Sequence, residues 1–205
     1  MERIGRSVSD ALERMSQGKH EGALRDICGA IEGTLKKHGA GGRSHYKAWA
    51  ASNLDLILAM GFPGLRTAGL RIAYSHPDLP VTNPPNTPSL EEIIYHVIRC
   101  ELYHTGGLPD DIKFSDGVIG GATLGQPLRI PSDFVLGIIL SVLASEPNID
   151  EHMDANPELV CNGVPLSLNS FWGKKTALMD ALAFTRIASG IPGPRQHQWQ
   201  MTFAT

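Results

Sequence analysis

An arginine and a histidine lie five positions apart near the end of one segment, residues 89–107 (SLEEIIYHVIRCELYHTGG). Arg99 would supply a fixed cation, because a guanidinium group stays protonated at any physiological pH. His104 would exchange protons near neutral pH, since an imidazole titrates at about 6.5. His96 and Tyr103 belong to the same segment. These residue types indicate a site that stabilises negative charge and transfers a proton.

The same segment has the pattern of one amphipathic helix. Ser89 is followed three residues later by Glu92, which is the spacing of a capping box at a helix start. Gly106 and Gly107 supply the permissive backbone with which helices often end. Apolar residues recur at the three-and-four spacing of a buried stripe, at Leu90, Ile93, Ile94, Val97, Ile98 and Leu102. The polar side of this helix would therefore carry the chemistry.

The hexapeptide RCELYH, from Arg99 to His104, resembles the R-x4-6-H motif of the HEPN superfamily (higher eukaryote and prokaryote nucleotide-binding domains). That superfamily is all-helical and includes many metal-independent ribonucleases. The resemblance implies a mainly α fold, an HEPN-like antiparallel helical bundle. Two positions differ from the usual pattern, since Cys100 replaces a small polar residue and Glu101 adds a negative charge.

The resemblance also implies a function, an RNA endonuclease that uses no metal and no cofactor. The ribose 2′-hydroxyl would attack its own phosphate, with Arg99 stabilising the charge that develops there and His104 acting as general acid/base. Tyr103 and His96 would contact substrate at the edge of the site. In proteins of this kind the site forms at a twofold interface, so the implied partners are a second copy of the chain and RNA. A stress or defence role with an antitoxin-like protein partner would fit such an enzyme.

Other interpretations of the same residues remain open. A catalytically silent HEPN-like module could use the same groove for a nucleotide, an RNA or a protein. On an α-helix His96, Cys100 and His104 fall within about 80° of one another, which would group two imidazoles and a thiolate, ligands that zinc favours. Arg99 could also form a simple surface ion pair, with Glu92, Glu101 or Asp110 as its partner.

Composition places the chain among ordinary globular proteins, with 42% hydrophobic and 19% charged residues. The net charge of −3 is unevenly distributed, because residues 1–75 hold 11 basic against 7 acidic side chains and residues 76–205 hold 7 against 14. The N-terminus lacks the apolar core of a secretory signal, and the longest apolar run, of 11 residues from Phe134, is too short to cross a bilayer. We therefore expect a cytoplasmic protein without membrane segments.

We expect a single domain over residues 1–205, with a β-rich insertion at about 108–131 and a helical C-terminal extension at 132–190. Strand-like residues occur at 112–114, 118–119 and 128–130, and Asp116-Gly117 is a turn signal between the first two, so the insertion is predicted to be a small β-hairpin. Five prolines within residues 75–88 predict an extended loop. The other predicted helices are 6–38 with an interruption at Gly18, Ser44 or His45 to Met60, Leu65 to Tyr74, Ser132 or Asp133 to Leu143, and Ser170 to Ala188.

Overall fold

The computed structural model describes residues 4–62, 70–115, 125–188 and 199–203. The chain is mainly helical, as predicted, with a few short strands. The helices are α1 (Ile4–Ser16), α2 (His20–Lys37), α3 (Gly42–Ser52), α4 (Leu54–Gly61), α5 (Leu90–Glu92), α6 (Cys100–His104), α7 (Ser132–Ala144) and α8 (Lys175–Ala188). The strands are β1 (Ile112–Ser115), β2 (Leu128–Pro131), β3 (Glu158–Cys161), β4 (Val164–Ser167) and β5 (Trp199–Thr202). Single turns of 3-10 helix lie at Glu146–Asn148 and Leu168–Phe171.

Helices α1 and α2 form an antiparallel pair. The predicted interruption at Gly18 is confirmed, because its φ of +70° places it in the left-handed region that glycine tolerates best. Near one end of the pair a Cβ on Gly33 would lie 3.1 Å from the side chain of Ile4. Near the other end the Arg14 guanidinium pairs with Asp26 at 2.6 Å. The two helices thus run in opposite directions over their length.

Helix α7 lies at the centre of the core, where it contacts α1, α2 and α4. Every one of its 13 residues is buried, so α7 is an interior helix and not an extension beside the bundle. Its backbone approaches α4 closely at two glycines, because a Cβ on Gly137 would lie 2.7 Å from the carbonyl oxygen of Ile57 and one on Gly61 would lie 2.9 Å from Cα of Phe134. Among the described helices, none combines the length and apolar character needed to span a membrane.

The segment predicted as one helix up to Met60 is two helices. Helix α3 ends at Ser52 and α4 begins at Leu54, with Asn53 between them at φ −111° and ψ 4°. The Asn53 side-chain amide donates to the carbonyl of Trp49 at 2.9 Å. This residue thus hydrogen-bonds to the backbone in the last turn of α3. The helix predicted over Leu65 to Tyr74 is wrong in its described part, since Arg71 forms an antiparallel bridge to Ser89; residues 63–69 lie outside the described ranges.

The central helix, residues 90–104, consists of α5, a π-helical segment at Ile93–Arg99, and α6. The predicted capping box at its start is present, with the Ser89 N–H donating to Glu92 Oε2 at 3.3 Å. At its other end Gly106 has a φ of +76°. The π segment was not predicted, because apolar spacing alone does not distinguish an α-helix from one with a residue inserted.

The first two strands differ from the prediction in their relative direction. Strands β1 and β2 pair in parallel, with Ile112 beside Leu128 and Phe114 beside Ile130, so the predicted β-hairpin is wrong. Parallel strands need a crossover connection that a tight turn cannot provide. The other predicted strand residues, Val118 and Ile119, lie outside the described residues.

A second sheet has the order β4-β3-β5 and was not predicted, because the sequence indicates a loop over β3 and β4 and carries too little pattern to predict β5. Strand β3 pairs antiparallel with both neighbours, and its Leu159 and Cys161 are fully buried. Helix α8 begins at Lys175, five residues later than predicted, because Leu168–Phe171 forms a 3-10 turn first.

Candidate functional site

The guanidinium of Arg99 is held by a carboxylate from a different helix. Nε–H and Nη2–H both donate to Oε1 of Glu32 on α2, at 3.1 Å and 2.6 Å. Both side chains are about three-quarters buried, with exposed fractions of 22% and 26%. Burial alone would lower the pKa of Arg99, but the hydrogen bonds to Glu32 and Cys100 together with the charge of Glu32 outweigh it and raise that pKa. Arg99 is therefore permanently charged and fixed in orientation.

Two tyrosines on the same face of the central helix enclose this guanidinium. Its carbon lies 4.6 Å from the ring centroid of Tyr103 and 5.5 Å from that of Tyr95, within the range of cation–π attraction. Tyr103 is 51% exposed. The third nitrogen, Nη1, contacts only the Cys100 sulfur among the described residues, at 3.9 Å. One edge of the guanidinium thus has no oxygen acceptor within the described part of the chain.

A cleft of about 110 Å³ lies beside this guanidinium. Its walls include Arg99, Glu32 and Lys36 of α2, together with Gly41 and Gly42 at the start of α3. No side chain of the described residues caps α3, so the backbone N–H groups of its first turn, at the positive end of the helix dipole, have no side-chain acceptor. A Cβ at either glycine would meet nothing within 4 Å, which leaves room at this helix start. The cleft gathers two cationic side chains and a helix N-terminus around one carboxylate.

His104 lies at the end of α6, and its side chain is exposed. Within the described ranges no hydrogen bond or ion pair involves its ring, in contrast to Arg99. The neighbouring Gly106 carbonyl accepts a hydrogen bond from Arg25 of α2. That bond ties the turn after the central helix to α2, while the imidazole stays available to solvent.

One family model, Rv1289, matches residues 3–204. The chain belongs to the Rv1289 family. The match runs through both the helical half and the strand-containing half. No curated protein and no solved structure matches the chain.

In this Rv1289-family protein the four predicted site residues have different surroundings. Arg99 and Tyr103 are brought into contact, and His104 is exposed at the end of the same helix. His96 is only 7% exposed, which leaves little of its side chain accessible for the predicted contact with substrate. The ring packs edge-to-face on Tyr95 with centroids 5.1 Å apart.

The metal interpretation of His96, Cys100 and His104 finds no support within the described part of the Rv1289-family chain. No three His, Cys, Asp or Glu side chains there are grouped so that they could hold a metal ion. The buried His96 and the exposed His104 also have very different access to solvent.

Glu32 is the site residue that sequence reasoning missed. The predicted partners of Arg99 were near it in sequence, whereas Glu32 is 67 residues away. A signal was present, because Glu21, Arg25, Glu32 and Lys36 recur at helical spacing along one side of α2. Such a charged stripe indicates a polar face, but it does not say which helix lies opposite.

His96 gives the Rv1289-family protein a predicted pH dependence. Burial, followed by the positive charges of Arg43 and Lys47, lowers the pKa of His96, while Glu92 and Asp78 oppose the shift. Its Nε2 atom is buried and has no hydrogen-bond partner among the described residues. The His96 imidazole binds a proton at about pH 6.5 in the unfolded chain and only at lower pH in the folded chain. The free energy of unfolding is therefore highest above about pH 6.5 and falls as the pH drops below that value. In urea titrations from about pH 7.5 to about pH 5.5, the free energy of unfolding of His96→Gln should decline less steeply than that of the wild type. Equal slopes would contradict this origin of the pH dependence.

Proposed function

We propose that the protein is a metal-independent RNA endonuclease of HEPN type that acts as a homodimer in the cytoplasm. The observation that carries the proposal is the setting of Arg99, a fixed guanidinium at a cleft shared with Lys36 and the open start of α3. Backbone N–H groups at a helix N-terminus, an arginine and a lysine are each groups that bind phosphate. Their convergence favours a phosphodiester as the bound group.

Glu32 works against this positive charge and has to be weighed. One carboxylate offsets one of the two cations, so Lys36 and the α3 N-terminus leave the cleft with an excess of positive potential. Glu32 also holds two guanidinium nitrogens on one oxygen, which leaves Nη1 directed elsewhere. Its role in this proposal is to orient Arg99 before substrate arrives.

His104 supplies the proton-transfer group. From Arg99 to His104 an α-helix rises by about 7.5 Å and turns by about 140°, so the two side chains of one chain do not point in the same direction. A second chain, related by a twofold axis at this helix, could place its His104 near the first chain's Arg99. The proposal therefore requires the dimer, which the motif resemblance also implies.

The reaction would proceed without an external nucleophile. The ribose 2′-oxygen bonds to phosphorus and loses its proton to an imidazole, while the bond from phosphorus to the 5′-oxygen breaks and that oxygen takes up a proton. Arg99 stabilises the extra negative charge on the phosphate oxygens. The products are a 2′,3′-cyclic phosphate and a 5′-hydroxyl end.

The direct test uses the full chain, single-stranded RNA and EDTA. We expect cleavage that continues in the chelator and yields 5′-hydroxyl ends. The matched control is the same oligonucleotide with 2′-deoxyribose throughout, which has no attacking hydroxyl and should stay intact. RNA that stays intact after incubation with an excess of protein, or equal cleavage of the deoxy control, would contradict the proposal.

A second candidate is a catalytically silent module that binds RNA or a nucleotide in the same cleft. It is favoured by the ion pair itself, because Glu32 neutralises the cation that a nuclease would direct at phosphate. This candidate predicts RNA binding that Lys36→Ala weakens and no turnover. The cleavage assay therefore distinguishes the two, since only the nuclease produces new ends.

A further inference from the structure

A second and much larger cavity lies on another side of α2 and α3. This groove, here called the α3–α8 groove, has a volume of about 1010 Å³ and lies among the C-terminal turn of α2, helix α3, the end of α7 and the first turn of α8. Sites for small organic ligands usually measure about 300–1000 Å³. The groove shares no lining residue with the Arg99 cleft except Leu35, so it is a separate site.

The floor of the groove is apolar and fixed in place. Trp49 is 8% exposed, and its indole N–H donates to Ser145 Oγ at 3.0 Å. The Ser145 hydroxyl in turn donates to the carbonyl of Ser141 at 2.7 Å. Because the polar atom of the indole is satisfied inside the protein, the surface that Trp49 shows to the groove is hydrocarbon. Ala48, Ala144 and Ile149 extend this apolar lining.

One end of the groove is positively charged. Lys174 lines it, and the Lys174 ammonium donates only to the carbonyl of Ser170, at 3.1 Å, with no carboxylate partner in the described ranges. Lys175 also lines the groove but is paired with Asp55 at 2.7 Å. The first intrahelical bond of α8 runs from Leu178 N–H to the Lys174 carbonyl, so the three preceding N–H groups have no acceptor within the helix.

The remaining charged lining is sparse. His38 and His45 lie on the α2 and α3 side, and Glu146 is the one carboxylate among the described lining residues. The groove thus combines an apolar body of about drug-molecule size with an excess of cationic groups at the start of α8. This is the complement of a molecule with a hydrocarbon body and an anionic head.

We propose that the α3–α8 groove binds a small organic anion, with an aromatic or aliphatic body against Trp49 and a carboxylate, sulfonate or phosphate head beside Lys174. The lysine contributes a charge-assisted contact, and the apolar floor contributes burial of hydrocarbon. This site does not depend on the RNA-cleavage proposal.

The test compares two probes that share one ring system and differ in charge. The anionic probe is 1-anilinonaphthalene-8-sulfonate and the neutral probe is N-phenyl-1-naphthylamine, each titrated into the folded full chain while probe fluorescence is followed. We expect the wild type to bind one molecule of either probe and to bind the anion more tightly. Lys174→Gln should weaken the anionic probe by about five- to ten-fold and leave the neutral probe unchanged.

A second pair of variants tests whether the probes occupy this groove. Ala48 is exposed and lines it, so Ala48→Trp should occupy the space beside Trp49 and weaken the binding of both probes. Ala183 is exposed on α8 and does not line the groove, so Ala183→Trp should leave both affinities unchanged. Unchanged binding in Ala48→Trp, equal loss of both probes in Lys174→Gln, or no binding to the wild type would overturn the proposal. Unfolding curves of each variant verify that the chain is folded.

Discussion

Replacing His104 by alanine is expected to lower the rate of RNA cleavage by about 10²–10⁴-fold, the contribution of one general acid or base. The side chain is exposed, and within the described ranges it makes no hydrogen bond or ion pair. Its removal should therefore leave the free energy of unfolding within about 0.5 kcal/mol of the wild type. Single-turnover cleavage with protein in excess measures the chemical step, and urea unfolding measures stability.

The matched control for this variant is His38→Ala. His38 is also exposed and also lies at a helix end, as the C-cap of α2, but it lies outside the Arg99 cleft. Its replacement should change cleavage by less than about two-fold, a difference of roughly 0.4 kcal/mol. Cleavage by His104→Ala at the wild-type rate would remove this histidine from the mechanism, whatever the control shows.

Replacing Gly137 by alanine is expected to destabilise the fold by about 1–3 kcal/mol, the usual cost of overpacking a core. The added Cβ would lie 2.7 Å from the carbonyl oxygen and 2.8 Å from Cα of Ile57. Both atoms belong to backbone inside α4, so no side chain can rotate away, and α4 and α7 would have to separate. The midpoint of urea unfolding should fall while the slope of the transition stays the same.

The same substitution at Gly29 provides a control with the opposite sign. Gly29 is also inside a helix, and a Cβ there would meet nothing within 4 Å. Gly29→Ala should raise the free energy of unfolding by about 0.5–1 kcal/mol, because alanine loses less conformational freedom on folding. A Gly137→Ala protein as stable as Gly29→Ala would show that α4 and α7 are not as close as described.

The fold could be predicted well where local chemistry determines it. The capping box at Ser89 and Glu92 uses residues three apart, and Gly18 interrupts two helices through its own backbone conformation. The apolar run after Phe134 is buried on all sides and folds as α7. In each case the signal and the structure lie within a few neighbouring residues, so no knowledge of the tertiary fold was needed.

The errors occur where a residue distant in the sequence determines the structure. The spacing of Ile112 and Leu128 identifies strand residues but not their relative direction, and the pairing is parallel. Strand β3 has partners on both sides, one of which lies near the C-terminus. The site follows the same rule: Arg99 and His104 were predicted from their spacing within one short motif, whereas Glu32 is brought to Arg99 only by the packing of α2.

The π-helical segment at Ile93–Arg99 has a consequence for how this chain should be matched to other helical proteins. A π segment is equivalent to a regular helix with one residue inserted. A residue-by-residue alignment to an uninterrupted helix would therefore be out of phase on one side of the insertion, and the arginine would be matched to a position on the wrong face. An alignment that allows a one-residue gap between Ile93 and Arg99 would keep both the capping residues and the arginine in register with their equivalents.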